Sequence, residues 1–304
     1  MININEILNK WLILKYMAHM EKFFKMHGLG NDFVIFDGRQ GISMSSEVAQ
    51  KIANRRTGVG CDQIIIIDNP INDGDVSLKF FNSDGSISSA CGNGTRCVAD
   101  LIFSQTEKEI IKIDTSAGQL SAWKDKDYNR ITVDMGTPEF LWDQIPLSKK
   151  VDYRQVDLGS LAPSKAFCLS MGNPHAIFFL ENQETFDLEK FGGEIENHDI
   201  FPEKANISLV SILSFNEIRV KVWERGVGIT SACGSAACAA SVASYQMRKI
   251  GNECDVLMDG GKLHVMIKKN GKVFLSGPTE KSFEGYLSHN LEFLLKKGMT
   301  LISE

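Results

Sequence analysis

Apolar residues along the chain fall in short runs, each closed off by turn-forming residues. In the first half these runs are Phe33–Asp37, Gln63–Asp68, Val76–Asn82 and Ile111–Thr115. In the second they are Ala166–Leu169, Ala176–Leu180, Ile207–Leu213 and Ile218–Glu224. Runs of this length, rich in Ile, Val and Phe, predict strands. The stretch KKNGKV, with Asn270-Gly271 at its centre, predicts a two-residue hairpin. Two longer segments, about Asn93–Gln105 and about Ser235–Lys249, predict buried helices, the second rich in the strong helix former alanine. Many strands with one interior helix per half give an α+β fold class.

The pattern occurs twice. GNDFVIF from Gly30 is answered by GNPHAIF from Gly172, KFFN ending at Asn82 by KVWE ending at Glu224, and ACGNG around Cys91 by ACGSA around Cys233. RITVDMG from Arg130 is answered by KVFLSG from Lys272, and all four correspondences share one offset, that from Cys91 to Cys233. The offset is far too long for a solenoid unit, whose period is about 20–50 residues. It predicts two homologous, pseudo-symmetric domains facing each other. The break falls near residues 139–160, where Pro138, Pro146 and Pro163 punctuate a polar stretch. The expected division is 21–139, completed by about 278–304, and 140–277. Residues 1–20 read as a leader, disordered or foreign to the domain, with the folded part starting near Phe23.

Composition narrows the function classes. The 304 residues are 43% hydrophobic and 23% charged with a net charge of −5, which gives ordinary cores and no basic footprint for nucleic acid or an anionic membrane. No apolar run approaches the roughly 18 residues of a membrane helix. Seven cysteines, an odd number without zinc-finger spacing, point to free thiols in a reducing cytoplasm and to no metal.

Two of those cysteines stand apart. Cys91-Gly92-Asn93-Gly94 and Cys233-Gly234-Ser235 each open a predicted helix at repeat-equivalent positions. A helix start leaves about four backbone N–H groups unpaired and carries partial positive charge, so a thiolate there is stabilised and its pKa is expected to fall below about 8.5. Cys97, Cys168, Cys238 and Cys254 read instead as small buried hydrophobes. Two opposed sulfurs suit one chemistry in particular. Inverting a stereocentre means taking the α-proton from one face and returning one to the other, with one thiolate and one thiol exchanging roles. Two helix starts aimed at one carboxylate would hold the substrate and offset the charge of the carbanion.

Polar residues at strand-to-loop junctions extend the candidate site. Asn31 and Asn173 are repeat equivalents, as are Asn82 and Glu224, and Asn206 lies at a similar junction. Glu224-Arg225 offers a carboxylate for an ammonium group and a bidentate guanidinium for a second carboxylate. His175, within GNPHAIFF, borders the site and is expected to bias a cysteine's proton. The Gly-x-Gly stretches of HGLGND and GVGCDQ lack the third glycine and the later acid of a dinucleotide fingerprint.

The segments FFKMHGLGNDFVIFD, RRTGVGCDQ, FFNSDGS, ACGNGTRC, MGNPHAIFF, FPEKANISLV, WERGVG and ACGSAACAA, between about Phe23 and Tyr286, together resemble the diaminopimelate epimerase family. The resemblance implies interconversion of LL- and meso-diaminopimelate without pyridoxal phosphate or metal, serving lysine and cell-wall synthesis. It implies two similar domains, each a mixed sheet or barrel wrapped around a central helix, usually as a cytoplasmic homodimer. Position by position it makes Cys91 and Cys233 the acid/base pair and places His175 near the thiols. Asn31, Gln63, Asn82, Asn173, Asn206, Glu224 and Arg225 become substrate contacts; Gly92, Asn93, Gly94, Gly234 and Ser235 become the helix-start groups around the reacting carboxylate. Ile229 and Ala236 depart from the family, which has Glu and Gly there, and Ala236 adds a methyl beside the carboxylate-binding turn. The tail after about Leu287 exceeds the family length and reads as an added amphipathic helix.

Two other functions remain open from sequence. One is a related racemase acting on proline, hydroxyproline or histidine, which Arg225 and the asparagine set oppose. The other is a non-catalytic redox sensor closing a Cys91–Cys233 disulfide.

Overall fold

The computed structural model describes residues 21–88, 91–116, 118–125 and 130–287; the leader 1–20 and the tail after Leu287 lie outside the described residues. The first half runs β1 (Lys22–Gly28), β2 (Asn31–Asp37), α1 (Ser46–Ala53), β3 (Gln63–Asp68), β4 (Val76–Asn82), β5 (Ile87–Ser88), α2 (Gly92–Phe103), β6 (Ile110–Thr115), β7 (Gly118–Asp125) and β8 (Arg130–Asp134). The second repeats that order as β9 (Phe167–Ser170), β10 (Pro174–Phe179), α3 (Leu188–Glu196), β11 (Asn206–Ser214), β12 (Glu217–Glu224), β13 (Gly228–Thr230), α4 (Gly234–Gln246), β14 (Glu253–Met258), β15 (Gly261–Ile267) and β16 (Val273–Gly277). A last strand, β17 (Glu280–Tyr286), follows.

Strand pairing repeats with the order. β2–β3 and β4–β6 are parallel in the first half, β10–β11 and β12–β14 in the second, and the other pairings within each half are antiparallel. The halves join where β8 pairs antiparallel with β16, and there Val133 faces Leu275, its own repeat counterpart. A local twofold axis therefore passes through that pair, as in an isologous interface. Thr132 and Ser276 close it with a hydroxyl–hydroxyl bond of 2.8 Å. After β16 the chain returns to the first half, where β17 pairs with β1. In the second half the connecting segment supplies the matching contact, through a bridge between Glu139 and Ser170.

Each half is three layers deep. In the first, Phe33 and Ile35 of β2 and Ile65 and Ile67 of β3 pack on Cys97, Val98, Leu101 and Ile102 of α2. The alternate residues Val34, Phe36, Ile64 and Ile66 pack on Val48, Ala49 and Ile52 of α1. Strands covered on both faces lose the polar alternation, which is why these two read as unbroken apolar runs. In the second half Ile177 and Val210 face α4, while Ala176, Phe178, Ile207 and Leu209 face Leu188 and Ile195 of α3. Helix α4 is buried all round, with Ala236, Ala237, Ala239, Ala240 and Ala243 fully inaccessible.

The expected interior helix is present in each half as α2 and α4, and among the described residues each half adds a second α-helix on the outer face of its sheet, which the sequence reading did not include. Helix α1 is only eight residues long, capped by Ser45, whose hydroxyl accepts the Val48 N–H at 3.3 Å. Helix α3 carries Gly192 and Gly193 in its interior, each costing about 1 kcal/mol against alanine. Packing overrides that cost, because a Cβ at Gly192 would lie 2.6 Å from the Trp223 ring.

Candidate active site

Each half builds its site from a hairpin, a strand end and a helix start. The β1–β2 turn closes with Leu29 and Gly30 at φ +58° and +86°, and the β9–β10 turn holds Gly172 at +87°. This left-handed backbone favours glycine. The residues that follow, Asn31 and Asn173, are thereby delivered to equivalent points beside α2 and α4.

Cys91 is the N-cap of α2 and its sulfur accepts the Gly94 N–H at 3.4 Å. Cys233 is the N-cap of α4 and lies 3.5 Å from the Ser235 hydroxyl. The two helix starts meet. A Cβ built on Gly234 would stand 3.6 Å from Gly92 Cα, 3.5 Å from Asn93 Oδ1 and 2.9 Å from Leu275 Cδ2. One built on Gly92 would stand 3.1 Å from Met135 Cε and 3.5 Å from the same Leu275 methyl. Glycine at both positions thus lets two helix N-termini converge on the twofold axis.

Around Cys91 the neighbours are amides. Asn31 Oδ1 lies 3.9 Å from the sulfur and accepts Asn93 Nδ2 at 3.2 Å. Asn93 also donates to Ala232 O, across in the second half, at 3.3 Å. Gln63 donates to Asn82 Oδ1 at 2.8 Å, and its own Oε1 is buried without a partner.

Around Cys233 the neighbours are more acidic. Glu224, at the end of β12, accepts the Thr230 hydroxyl at 2.5 Å and a hydrogen bond from the Cys233 thiol. The strand end is fixed from behind by buried Glu196 of α3, which accepts Trp223 Nε1 and the Gly226 N–H, both at 2.8 Å. Asn173 Nδ2 donates to Ser235 Oγ at 3.3 Å, and its Oδ1 faces His175 Nε2 at 2.9 Å. His175 is fully buried and its Nδ1 has no partner. It reaches Cys233 only through Asn173 and Ser235. Since the Asn173 oxygen can only accept, His175 carries its proton on Nε2, and the Ser235 hydroxyl is left free to donate to the sulfur.

The expectation of a depressed thiol pKa is overturned at both sites. Burial pushes Cys91 up to about 11; the Gly94 N–H opposes the rise and the Glu224 charge adds to it. Burial also holds Cys233 well above its ordinary value, raised further by the adjacent Glu224 carboxylate. Desolvation outweighs the helix start where water is excluded. Burial raises Glu224 as well, against its bonds from Cys233 and Thr230, and pulls His175 down to about 3 with Arg225 helping, so the imidazole is neutral.

Asn206 is buried beside His175, and Arg225 is exposed just past the end of β12. The Asn206 amide spans two backbones, donating to Pro174 O and accepting the Arg225 N–H, both at 3.0 Å, and the Arg225 guanidinium donates to Glu203 O. Sequence reasoning passed over Thr230, Asp62 and Arg96. Of these only Arg96 left a signal, a charge set inside the apolar run of α2. Clefts lined by Phe167, Tyr245, Gln246 and Arg248 lie at the far end of α4, about 18 Å from Cys233 along the helix.

The family model for diaminopimelate epimerase matches residues 23–141 and 167–282. The chain belongs to the diaminopimelate epimerase family. A diaminopimelate epimerase of Rhodospirillum centenum is 41% identical over 90% of this chain and 94% of its own length. That of Pelagibacter ubique is 42% identical over 84% and 95%. The chain's function is accordingly that of an isomerase, epimerising diaminopimelate. Solved structures share the fold at low identity. A hydroxyproline epimerase of Agrobacterium vitis superposes with TM-score 0.64 at 13% identity, covering 88% of this chain and 91% of that one. A PhzF-family protein of Bacillus anthracis gives 0.61 at 16%, covering 88% and 99%. Of the two departures from the epimerase pattern, Ala236 is the repeat counterpart of Gly94, and its N–H points toward Cys233 without closing the cap hydrogen bond that Gly94 gives Cys91. Its methyl is buried in the core, away from solvent. Ile229 is half exposed on β13.

Proposed function

We propose that this epimerase inverts the α-carbon of diaminopimelate between Cys91 and Cys233, one sulfur on each face. The observation that carries the reading is the convergence of two cysteine-capped helix starts on one twofold axis. A carboxylate placed between them would meet the N–H groups at Gly92 and Asn93 on one side and Gly234 and Ser235 on the other, while the Gly94 N–H serves the Cys91 sulfur. Charge spreading onto it as the α-proton leaves is met by donors already in place.

The proton path follows from the neighbours. Cys233 passes its proton to Glu224 and becomes the thiolate that removes the substrate α-proton. Cys91, whose S–H faces Asn31 Oδ1, delivers its proton to the opposite face. Turnover leaves Cys91 as thiolate and Cys233 as thiol, the pair that the reverse reaction needs. His175 serves as a neutral group that, through Asn173, turns the Ser235 hydroxyl toward the Cys233 sulfur. Gln63 Oε1, buried without a donor, suits the distal ammonium group, with Asn82 beside it. Asn206 and Arg225 suit the distal carboxylate. No step calls on pyridoxal phosphate or a metal.

We further assign 21–139 with β17 and 140–277 as the two domains, a cytoplasmic setting, and a homodimer in which β17, with Phe283 and Tyr286 exposed, lies at the contact. The substrate assignment is tested by following loss of the α-proton from LL-diaminopimelate and from L-proline. Exchange in the first alone is expected; exchange in proline alone would replace the substrate.

A further inference from the structure

Helix α2 buries a guanidinium that catalysis does not use. Arg96 is fully inaccessible; its Nη2 donates to Asn93 Oδ1 at 2.8 Å, while Nε and Nη1 have no partner. No carboxylate pairs with it among the described residues, an expensive arrangement for a buried charge. Its repeat counterpart in the second half is the uncharged Cys238, so packing at this position does not demand arginine.

The bonds starting at Arg96 form one continuous chain. Asn93 passes from Arg96 to Asn31 Oδ1 at 3.2 Å, and Asn31 Nδ2 donates to Asp62 Oδ2 at 2.9 Å. Asp62 is held in turn by Arg55 Nη2 at 2.8 Å and by the Asp32 N–H at 3.0 Å. One end of the chain can only donate and the other can only accept. Between such ends both amides have a single allowed orientation, oxygen toward arginine and nitrogen toward aspartate. The Asn31 oxygen is then fixed toward Cys91.

From this geometry we infer that Arg96 and Asp62 are positioning residues, which act through Asn93 and Asn31 to present an oxygen to the Cys91 sulfur and keep it a proton donor at rest. The inference rests on the two-cysteine reading for its purpose, but the orientation it asserts exists without substrate. Were either amide to turn over, an N–H would face the sulfur and favour the thiolate.

The test uses the whole protein without substrate. Iodoacetamide labelling of Cys91 and Cys233 is followed against pH by peptide mass spectrometry in wild type, Asp62→Asn and Asn93→Ser. The serine is the residue the second half carries at the equivalent position, and it cuts the chain without changing any charge. Both variants are expected to bring the Cys91 labelling midpoint down by at least half a pH unit, with that of Cys233 moving less. If Asp62→Asn lowers the midpoint and Asn93→Ser does not, a bare charge effect explains the data and the inference falls. It falls equally if neither moves Cys91, or if both cysteines shift alike. A variant whose circular dichroism shows misfolding is replaced by Arg96→Lys, which keeps the donor and is expected to leave the midpoint within a few tenths of a unit; a fall as large as half a unit there would also overturn the inference. Absence of epimerase activity would remove the two-cysteine reading and leave this labelling result standing.

Discussion

The two halves place a sulfur at the same point and surround it with different chemistry. Strand order, pairing and helix starts repeat at one constant offset, down to a residue that pairs with its own counterpart on the joining strands. Yet where the first half has Phe33, Asn82, Asn93 and Arg96, the second has His175, Glu224, Ser235 and Cys238. The first sulfur faces amides backed by a cation; the second faces a carboxylate, with an imidazole two links away. A symmetric scaffold solves the geometric problem of reaching both faces of a carbon. Symmetric chemistry would leave both sulfurs in the same protonation state, whereas proton transfer across a stereocentre needs one donor and one acceptor.

The comparison breaks most completely if one sulfur proves dispensable. Cys91→Ser and Cys233→Ser are each expected to lower kcat/KM for LL-diaminopimelate by about a thousand-fold or more while the fold survives, checked by turnover and circular dichroism. Normal turnover by either variant would restore the redox-sensor alternative. Next in size is Glu224→Gln, which makes the second half neutral like the first. It is expected to cost about a hundred-fold in kcat and to lower the labelling midpoint of Cys233 more than that of Cys91, since the lost charge raises both and stands closer to Cys233.

These predictions draw on residues that differ in how visible they are from sequence. Cys91 and Cys233, Gly92 and Gly234, and Asn31 and Asn173 were legible because duplication prints each pair at one spacing. The apolar runs of β2 and β3 signalled strands, and only the fold shows that both of their faces are covered. The covering helices stayed hidden: α1 has only two turns, and α3 contains two glycines that only Trp223 explains. The thiol pKa was misread because a helix start is a local feature visible in sequence, while desolvation belongs to the assembled site. Asp62 and Thr230 were missed because their partners, Asn31 and Glu224, are joined to them only by folding.

Smaller effects sharpen the geometry. Gly234→Ala puts a methyl against Leu275 at the point where the helix starts meet, and a displacement of well under 1 Å is expected to cost about ten-fold in kcat with little change in melting temperature. The smallest concerns the first half alone, where Asp32 is bonded by Lys25 and Arg55 and the second half has Pro174 in its place. Burial pushes the Asp32 carboxyl up, but the Arg55 and Lys25 bonds outweigh it and hold it well below the usual carboxylate range. Its stabilisation is therefore complete above the unfolded value of about 3.9 and is lost as pH falls toward the folded value. Asp32→Asn is expected to flatten the fall of melting temperature below pH 4.

The division of labour between the halves is tested most directly by supplying unlabelled LL-diaminopimelate in deuterium oxide and stopping the reaction early. With one sulfur removing the proton and the other delivering a solvent-derived one, the meso product carries deuterium at the inverted carbon and the recovered LL substrate stays nearly free of it. Deuterium entering recovered substrate as fast as product would mean that a single group serves both faces, and the account would be wrong.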